Sequence, residues 1–186
     1  MSLPVPTESA LLVRIPTAEP AVSRHRNNYD PAARVGVPAH VTIAYPFKPV
    51  ELLTRDDTEA LSQIFAGFQT VEVTLITTAW FGHHVLHLEP ADPGPLVALT
   101  AAVEKAFSNY PIYGGAHEDV RPHLTVGYAR DRADLAAVER DVLTFLPVEQ
   151  LVRGVELWHG PALATGGGRW SHVRTFPLGH AQAPEG

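Results

Sequence analysis

Two segments of the 186-residue chain carry the same pattern of reactive side chains, HVTIAY from His40 to Tyr45 and HLTVGY from His123 to Tyr128. Each reads His, aliphatic, Thr, aliphatic, small, Tyr. Successive side chains of a strand point to opposite faces, so His40 and Thr42 share one face while Val41 and Ile43 share the other; His123 and Thr125 are backed in the same way by Leu124 and Val126. If the two copies face each other, two imidazoles and two hydroxyls converge on one point. A phosphodiester suits that arrangement. One imidazole, with an ordinary pKa of about 6.5, removes a proton from an attacking hydroxyl or water while the other donates to the leaving oxygen. The threonine hydroxyls donate to the non-bridging phosphate oxygens, and the scheme requires no metal and no cofactor.

The elements that must position these groups can be read from apolar periodicity and turn residues. Glu8 to Ile15 reads as a strand stopped by Pro16, and Thr17 to Tyr29 as a short helix ended by the Asn27-Asn28-Asp30-Pro31 cluster. Gly36 and Pro38 form the loop that delivers the chain into the strand His40 to Tyr45. A helix is expected over Asp56 to Phe68, then strands Val71 to Trp80 and Val85 to Glu89 around a turn at Gly82, then a helix from Pro95 to Tyr110. The second half repeats the scheme with strand Leu124 to Tyr128, helix Ala133 to Phe145, one strand Val148 to Trp158, and a last strand over Trp170 to Phe176. Motif strand, helix, strand, strand therefore occurs twice, which points to a duplicated unit and a pseudo-symmetric α+β fold. Residues 1–178 are expected to form one domain, with 179–186 as a mobile tail.

Composition narrows the partners. The formal net charge of −6 opposes attachment to extended duplex nucleic acid, which depends on many Lys and Arg contacts to phosphate, so a nucleic-acid substrate is expected to be short or held by its end. The chain has no cysteine, which removes disulfides, thiolate nucleophiles and cysteine-rich zinc sites. No segment has the run of roughly 18 apolar residues of a membrane span, and no leader pattern opens the chain, so a cytoplasmic protein without membrane partners is expected.

With PAHVTIAYPF in its first half and RPHLTVGYA in its second, the chain resembles the two-histidine (2H) phosphoesterases, whose 2′-5′ RNA ligase-like and cyclic phosphodiesterase members carry two His-x-Thr/Ser-hydrophobic motifs. The resemblance covers most of the chain in layout. It implies two antiparallel-sheet lobes with helices outside and a central groove, and metal-independent action on 2′,3′-cyclic phosphates or 2′-5′ linkages of nucleotides or RNA ends. Carried over residue by residue, it makes His40 and His123 the acid/base pair and Thr42 and Thr125 phosphate-binding groups.

Flanking residues add candidates. Arg121, two residues before His123, could supply a fixed positive charge to phosphate or be a solvated surface Arg. Trp170 and Tyr113 could stack on a nucleobase, core packing being the other reading for Trp170. Tyr45 and Tyr128, five positions after each His, fall on the core face of an ideal strand, unless a bulge turns them. His83, His84 and His87 read as incidental residues of a hairpin, not as a metal site. Four functions remain open from sequence: the phosphodiesterase, the same chemistry run in reverse as an RNA ligase, a non-catalytic module that holds a nucleotide or RNA terminus, and a histidine-based metal protein.

Overall fold

The computed structural model describes residues 7–111, 121–165 and 168–179. Among these, the strands form two four-stranded sheets in which every neighbouring pair is antiparallel. The first contains β1 (Thr7–Arg14), β2 (His40–Phe47), β7 (Gly154–Pro161) and β8 (Ser171–Pro177), in the order β2-β1-β7-β8. The second contains β3 (Val71–Phe81), β4 (Val85–Pro90), β5 (Leu124–Tyr128) and β6 (Val148–Val152), in the order β5-β4-β3-β6. Helices α1 (Glu19–Tyr29), α2 (Pro31–Arg34), α3 (Arg55–Ala66), α4 (Gly94–Ala106) and α5 (Ala136–Leu143) pack around them. The expected α+β fold of two antiparallel lobes is the fold observed.

Pseudo-symmetry is present, but it is not a division of the chain into halves. Each motif strand is the edge strand of its sheet, beside β1 in one and β4 in the other. The strands after β2 in sequence, β3 and β4, belong to the opposite sheet, so the repeated order seen in the sequence is shared between lobes. The expected single strand Val148 to Trp158 is in fact β6 and β7, one in each sheet. The apolar phase explains the break. Val148 and Val152 are buried on one parity and Val155 and Leu157 on the other, and Arg153 lies between the strands, where the chain changes sheet.

Exchange between lobes continues in the helices. α1 packs on β5 and α4 packs on β2, so each motif strand is backed by a helix connected to the other sheet. Gly127 permits the first contact, since a Cβ there would lie 2.5 Å from Tyr29 Cβ. In the second, Thr100 of α4 donates to the Ile43 carbonyl at 3.0 Å. α3 begins with a capping box, Asp57 N donating to the Thr54 hydroxyl at 3.1 Å and Thr54 N to the Asp57 carboxylate at 2.7 Å, and packs Leu61 and Phe65 inward against β8.

β1 shows how one strand serves two apolar layers. Leu11 and Val13 enter the main core, whereas Ala10 and Leu12 on the other face join Val37 and Trp170 in a smaller cluster. That explains the continuous run Leu11, Leu12, Val13: both faces of this central strand are covered. Gly179, expected in the tail, bridges to Gln69; residues 180–186 lie outside the described residues.

Candidate active site

The smaller cluster marks the floor of a cleft of about 130 Å³ where β2 and β5 approach each other. His40, Thr42, His123 and Thr125 all line it, so the structure brings together the four groups singled out by their spacing. His40 is the first residue of β2 and His123 immediately precedes β5.

Each imidazole is fixed by a carbonyl two residues upstream: His40 Nδ1 donates to Pro38 O and His123 Nδ1 to Arg121 O, both at 2.7 Å. A carbonyl can only accept, so the Nδ1 atoms carry hydrogen and each Nε2 is the nitrogen left to exchange protons when the ring is neutral. Burial lowers the pKa of both rings from the ordinary histidine value. For His40 the result is about 3, burial being the main cause, with the Arg26 guanidinium adding to it. For His123 burial is again the main cause, with the His87 charge adding to it and the Arg121 carbonyl and the Glu89 charge countering it. Charge on His123 disfavours charge on His40, so the pair resists double protonation.

The two tyrosines depart from ideal strand alternation. Along β1 and β2, Leu12 pairs with Thr42 but Leu11 pairs with Ala44, leaving Ile43 as an extra residue. Along β4 and β5, His87 pairs with Thr125 but Leu86 pairs with Gly127, leaving Val126 extra. Each bulge reverses the parity of the residues after it, so Tyr45 and Tyr128 line the cleft with the His and Thr of their own motif. Their expected place on the core face is therefore corrected. The Tyr45 hydroxyl donates to Glu8 at 2.6 Å, and Glu8 also accepts from Leu163 N at 3.2 Å. Tyr128, half-exposed at the end of its strand, interacts with the Thr125 hydroxyl.

Trp170 is buried and lines the same cleft, so packing and wall are one role in space. Its Nε1 donates to Pro161 O at 3.0 Å, and its ring centroid stands 6.2 Å from that of Tyr45. The indole lies against Gly160, where a Cβ would come within 2.3 Å of Trp170 Cδ1. Arg121 has an exposed side chain and is not among the residues lining the cleft; its carbonyl orients His123, and its charge acts on His87. Tyr113 and His117 lie outside the described residues.

Three features are not singled out from the sequence. Arg26 and Asp30 form a buried ion pair beside the cleft, with Nε and Nη2 donating to the same carboxylate oxygen at 3.0 and 2.8 Å. The other oxygen accepts from Ala32 N at 2.9 Å, and burial raises the Asp30 pKa despite Arg26. The i, i+4 spacing of an Arg and an Asp was the available signal. His87, expected to be an incidental hairpin residue, is buried against the motif: its ring stacks on Phe81 at 4.1 Å and meets His123 edge-on at 5.2 Å. Its nitrogens make no well-formed hydrogen bond, although Nε2 stands 3.5 Å from Glu89 Oε1, whose charge favours the protonated ring. His83 and His84 are exposed at the turn. Leu12 occupies, beside Thr42, the strand position that His87 occupies beside Thr125, so the two halves of the cleft differ in polarity.

Among the described residues no three His, Asp or Glu side chains gather as a metal site, and no helix is long and apolar enough to cross a membrane. A family model described as the 2′-5′ RNA ligase superfamily matches residues 15–161, a span that includes both motifs. A search of curated proteins gives no match. Among solved structures the fold is similar to Escherichia coli LigT complexed with 3′-AMP, at TM-score 0.62 and 16% identity over 93% of this chain and 98% of that one. It is also similar to the Thermus thermophilus protein TT0787, at 0.55 and 19% over 93% and 98%, and to Kluyveromyces marxianus Usb1, at 0.50 and 16% over 92% and 97%.

Proposed function

The chain belongs to the 2′-5′ RNA ligase superfamily, within the two-histidine phosphoesterases, and on that premise we propose that it is a metal-independent phosphodiesterase acting on 2′,3′-cyclic phosphates or 2′-5′ linkages of nucleotides or RNA ends. The observation that carries this reading is the convergence of His40, Thr42, His123 and Thr125 on one cleft, with each Nδ1 committed to a carbonyl.

The environments divide the labour. His40, held well below the ordinary histidine range with the Arg26 charge opposing its protonation, is the general base; His123, whose lowering by burial and His87 is countered by the Arg121 carbonyl and Glu89, is the general acid. For a cyclic phosphate, His40 Nε2 takes a proton from water as its oxygen bonds to phosphorus. The bond from phosphorus to one ribose oxygen breaks, and that oxygen receives the proton of His123 Nε2. The product is a phosphomonoester, and one proton has moved from His123 to His40, to be returned through solvent. Thr42 and Thr125 donate to the non-bridging oxygens, where negative charge grows.

The apolar side of the cleft, formed by Leu12, Val37, Tyr45, Leu163 and Trp170, suits a nucleobase and its ribose, consistent with the 3′-AMP bound by LigT. The test is a substrate profile in chelator, covering nucleoside 2′,3′-cyclic phosphates and 2′-5′ and 3′-5′ dinucleotides, read by the position of phosphate in the product. Turnover of a cyclic phosphate or a 2′-5′ linkage supports the reading. A nucleotide bound without any product, with the same affinity after loss of either His, would replace it with a binding module.

A further inference from the structure

A second cavity, of about 460 Å³, lies next to the cleft and is separated from it by the segment that delivers His40. Val37 belongs to both walls. Neighbouring residues divide between them: Ala32 and Trp170 face the cleft, while Arg34 and Arg169 face the second cavity. Trp170 N donates to Val35 O at 2.8 Å, which ties the chain carrying Arg169 to the loop after α2.

The charge of this cavity runs against that of the molecule. In a chain of net charge −6, three arginines from separate segments, Arg26, Arg34 and Arg169, line one cavity. Arg26 is neutralised by Asp30 and gives its remaining group to the Val37 carbonyl. Arg34 donates to the Asn28 carbonyl, and neither it nor Arg169 has a carboxylate partner among the described residues, unlike Arg14, Arg24, Lys48 and Arg55. Glu19 is the acid of this wall, and one of its oxygens accepts from Ala39 N. Gly36, at φ +95°, leaves room for the Arg169 guanidinium, which would stand 3.0 Å from a Cβ at that position. Two exposed guanidiniums without ion-pair partners, over a polar cavity, are the donor set that binds phosphate oxygens.

We infer that Arg34 and Arg169 form a second phosphate subsite, which receives an internal phosphodiester of a nucleotide chain whose terminus lies at the two histidines. This rests on the phosphodiesterase reading and deepens it: the substrate is an oligonucleotide end and not a mononucleotide. A chain leaving the cleft over the Val37 ridge meets these two cations, and the phosphate then contributes binding remote from the reacting bond.

The test compares the whole protein with an Arg34→Gln/Arg169→Gln variant, both side chains being exposed and outside the cleft. The substrates are a nucleoside 2′,3′-cyclic phosphate and a short oligoribonucleotide ending in the same group. The variant should lose about tenfold or more in kcat/KM on the oligonucleotide through KM and keep its rate on the mononucleotide. Its salt slope should be shallower by about 0.7 for each phosphate no longer neutralised. An oligonucleotide with neutral methylphosphonate internal linkages should cost the wild type as much, with no further loss in the variant. Equal KM values for variant and wild type on the charged oligonucleotide, or independent additive losses, would overturn the subsite. If neither substrate is turned over, the phosphodiesterase reading fails by itself, and fluorescence anisotropy with a 3′-phosphorylated oligonucleotide decides the subsite: weaker binding by the variant supports it and equal binding refutes it.

Discussion

Replacing Gly160 with alanine puts the coupling between fold and cleft under direct strain. The added Cβ would lie 2.3, 2.6 and 2.7 Å from Trp170 Cδ1, Cγ and Nε1, where ordinary carbon contacts begin near 3.5 Å. The indole must therefore withdraw by about 1 Å from β7. It is held by Nε1 donating to Pro161 O and by its backbone N donating to Val35 O, so the movement strains or breaks the first of these bonds. Overpacking costs about 1–3 kcal/mol and a lost hydrogen bond about 1, giving a destabilisation of about 2–4 kcal/mol. For a domain of this size each kcal/mol lowers Tm by about 2–4 °C, so a fall of roughly 4–16 °C is expected. Because Trp170 lines the cleft on its apolar side and is not one of the groups assigned to proton transfer, KM should rise more than kcat falls. Urea unfolding and steady-state kinetics measure both effects. In the background Trp170→Ala, the same glycine substitution should cost almost nothing. A stability loss within about 0.5 kcal/mol in the wild-type background, or an equal loss in both backgrounds, would refute the packing argument.

Asp30→Asn leaves the buried Arg26 charge unpaired and should cost about 3–5 kcal/mol in urea unfolding; a loss under about 1 kcal/mol would mean that the pair is solvated. His87→Leu places at that site the residue found at the matching strand position, Leu12, and removes two buried nitrogens that lack well-formed hydrogen bonds. Stability should be unchanged or higher by about 1 kcal/mol, whereas a comparable loss would show that the ring is bonded. His40 has a folded pKa near 3 against about 6.5 unfolded, so the stability from its neutral form is complete above pH 6.5 and declines as pH falls toward 3. His40→Gln should make the acid side of the stability profile shallower by up to about 1.4 kcal/mol per pH unit; an unchanged slope would place His40 in water.

The residues that do the chemistry were legible because they obey strand alternation and occur twice: His40, Thr42, His123 and Thr125 needed only period two to be placed on one face. Tyr45 and Tyr128 were misplaced by the same rule, since a bulge adds a residue without changing the composition of the strand. The break at Arg153 is of the same kind. An apolar run with Val148, Val152, Val155 and Leu157 looks continuous until its parity is traced, and only pairing with β3 and β1 reveals two sheets. The Arg26–Asp30 pair and the His87–His123 contact are long-range or buried polar events, which hydropathy assigns to the surface by default. Trp170 needed no choice between core and cleft, because a minor core cluster is the cleft floor.

The division of roles between the two histidines is open to one leaving-group experiment. His40→Gln and His123→Gln are each assayed in chelator on a nucleotide phosphodiester with a sugar oxygen as leaving group and on its nitrophenyl counterpart, which departs without protonation. Both variants should lose about 100-fold or more on the first substrate. On the nitrophenyl ester His123→Gln should recover most of the wild-type rate while His40→Gln stays impaired, since activation of the nucleophile still requires the base. Wild-type rates for either variant on the first substrate, or recovery of His40→Gln in place of His123→Gln, would contradict the account.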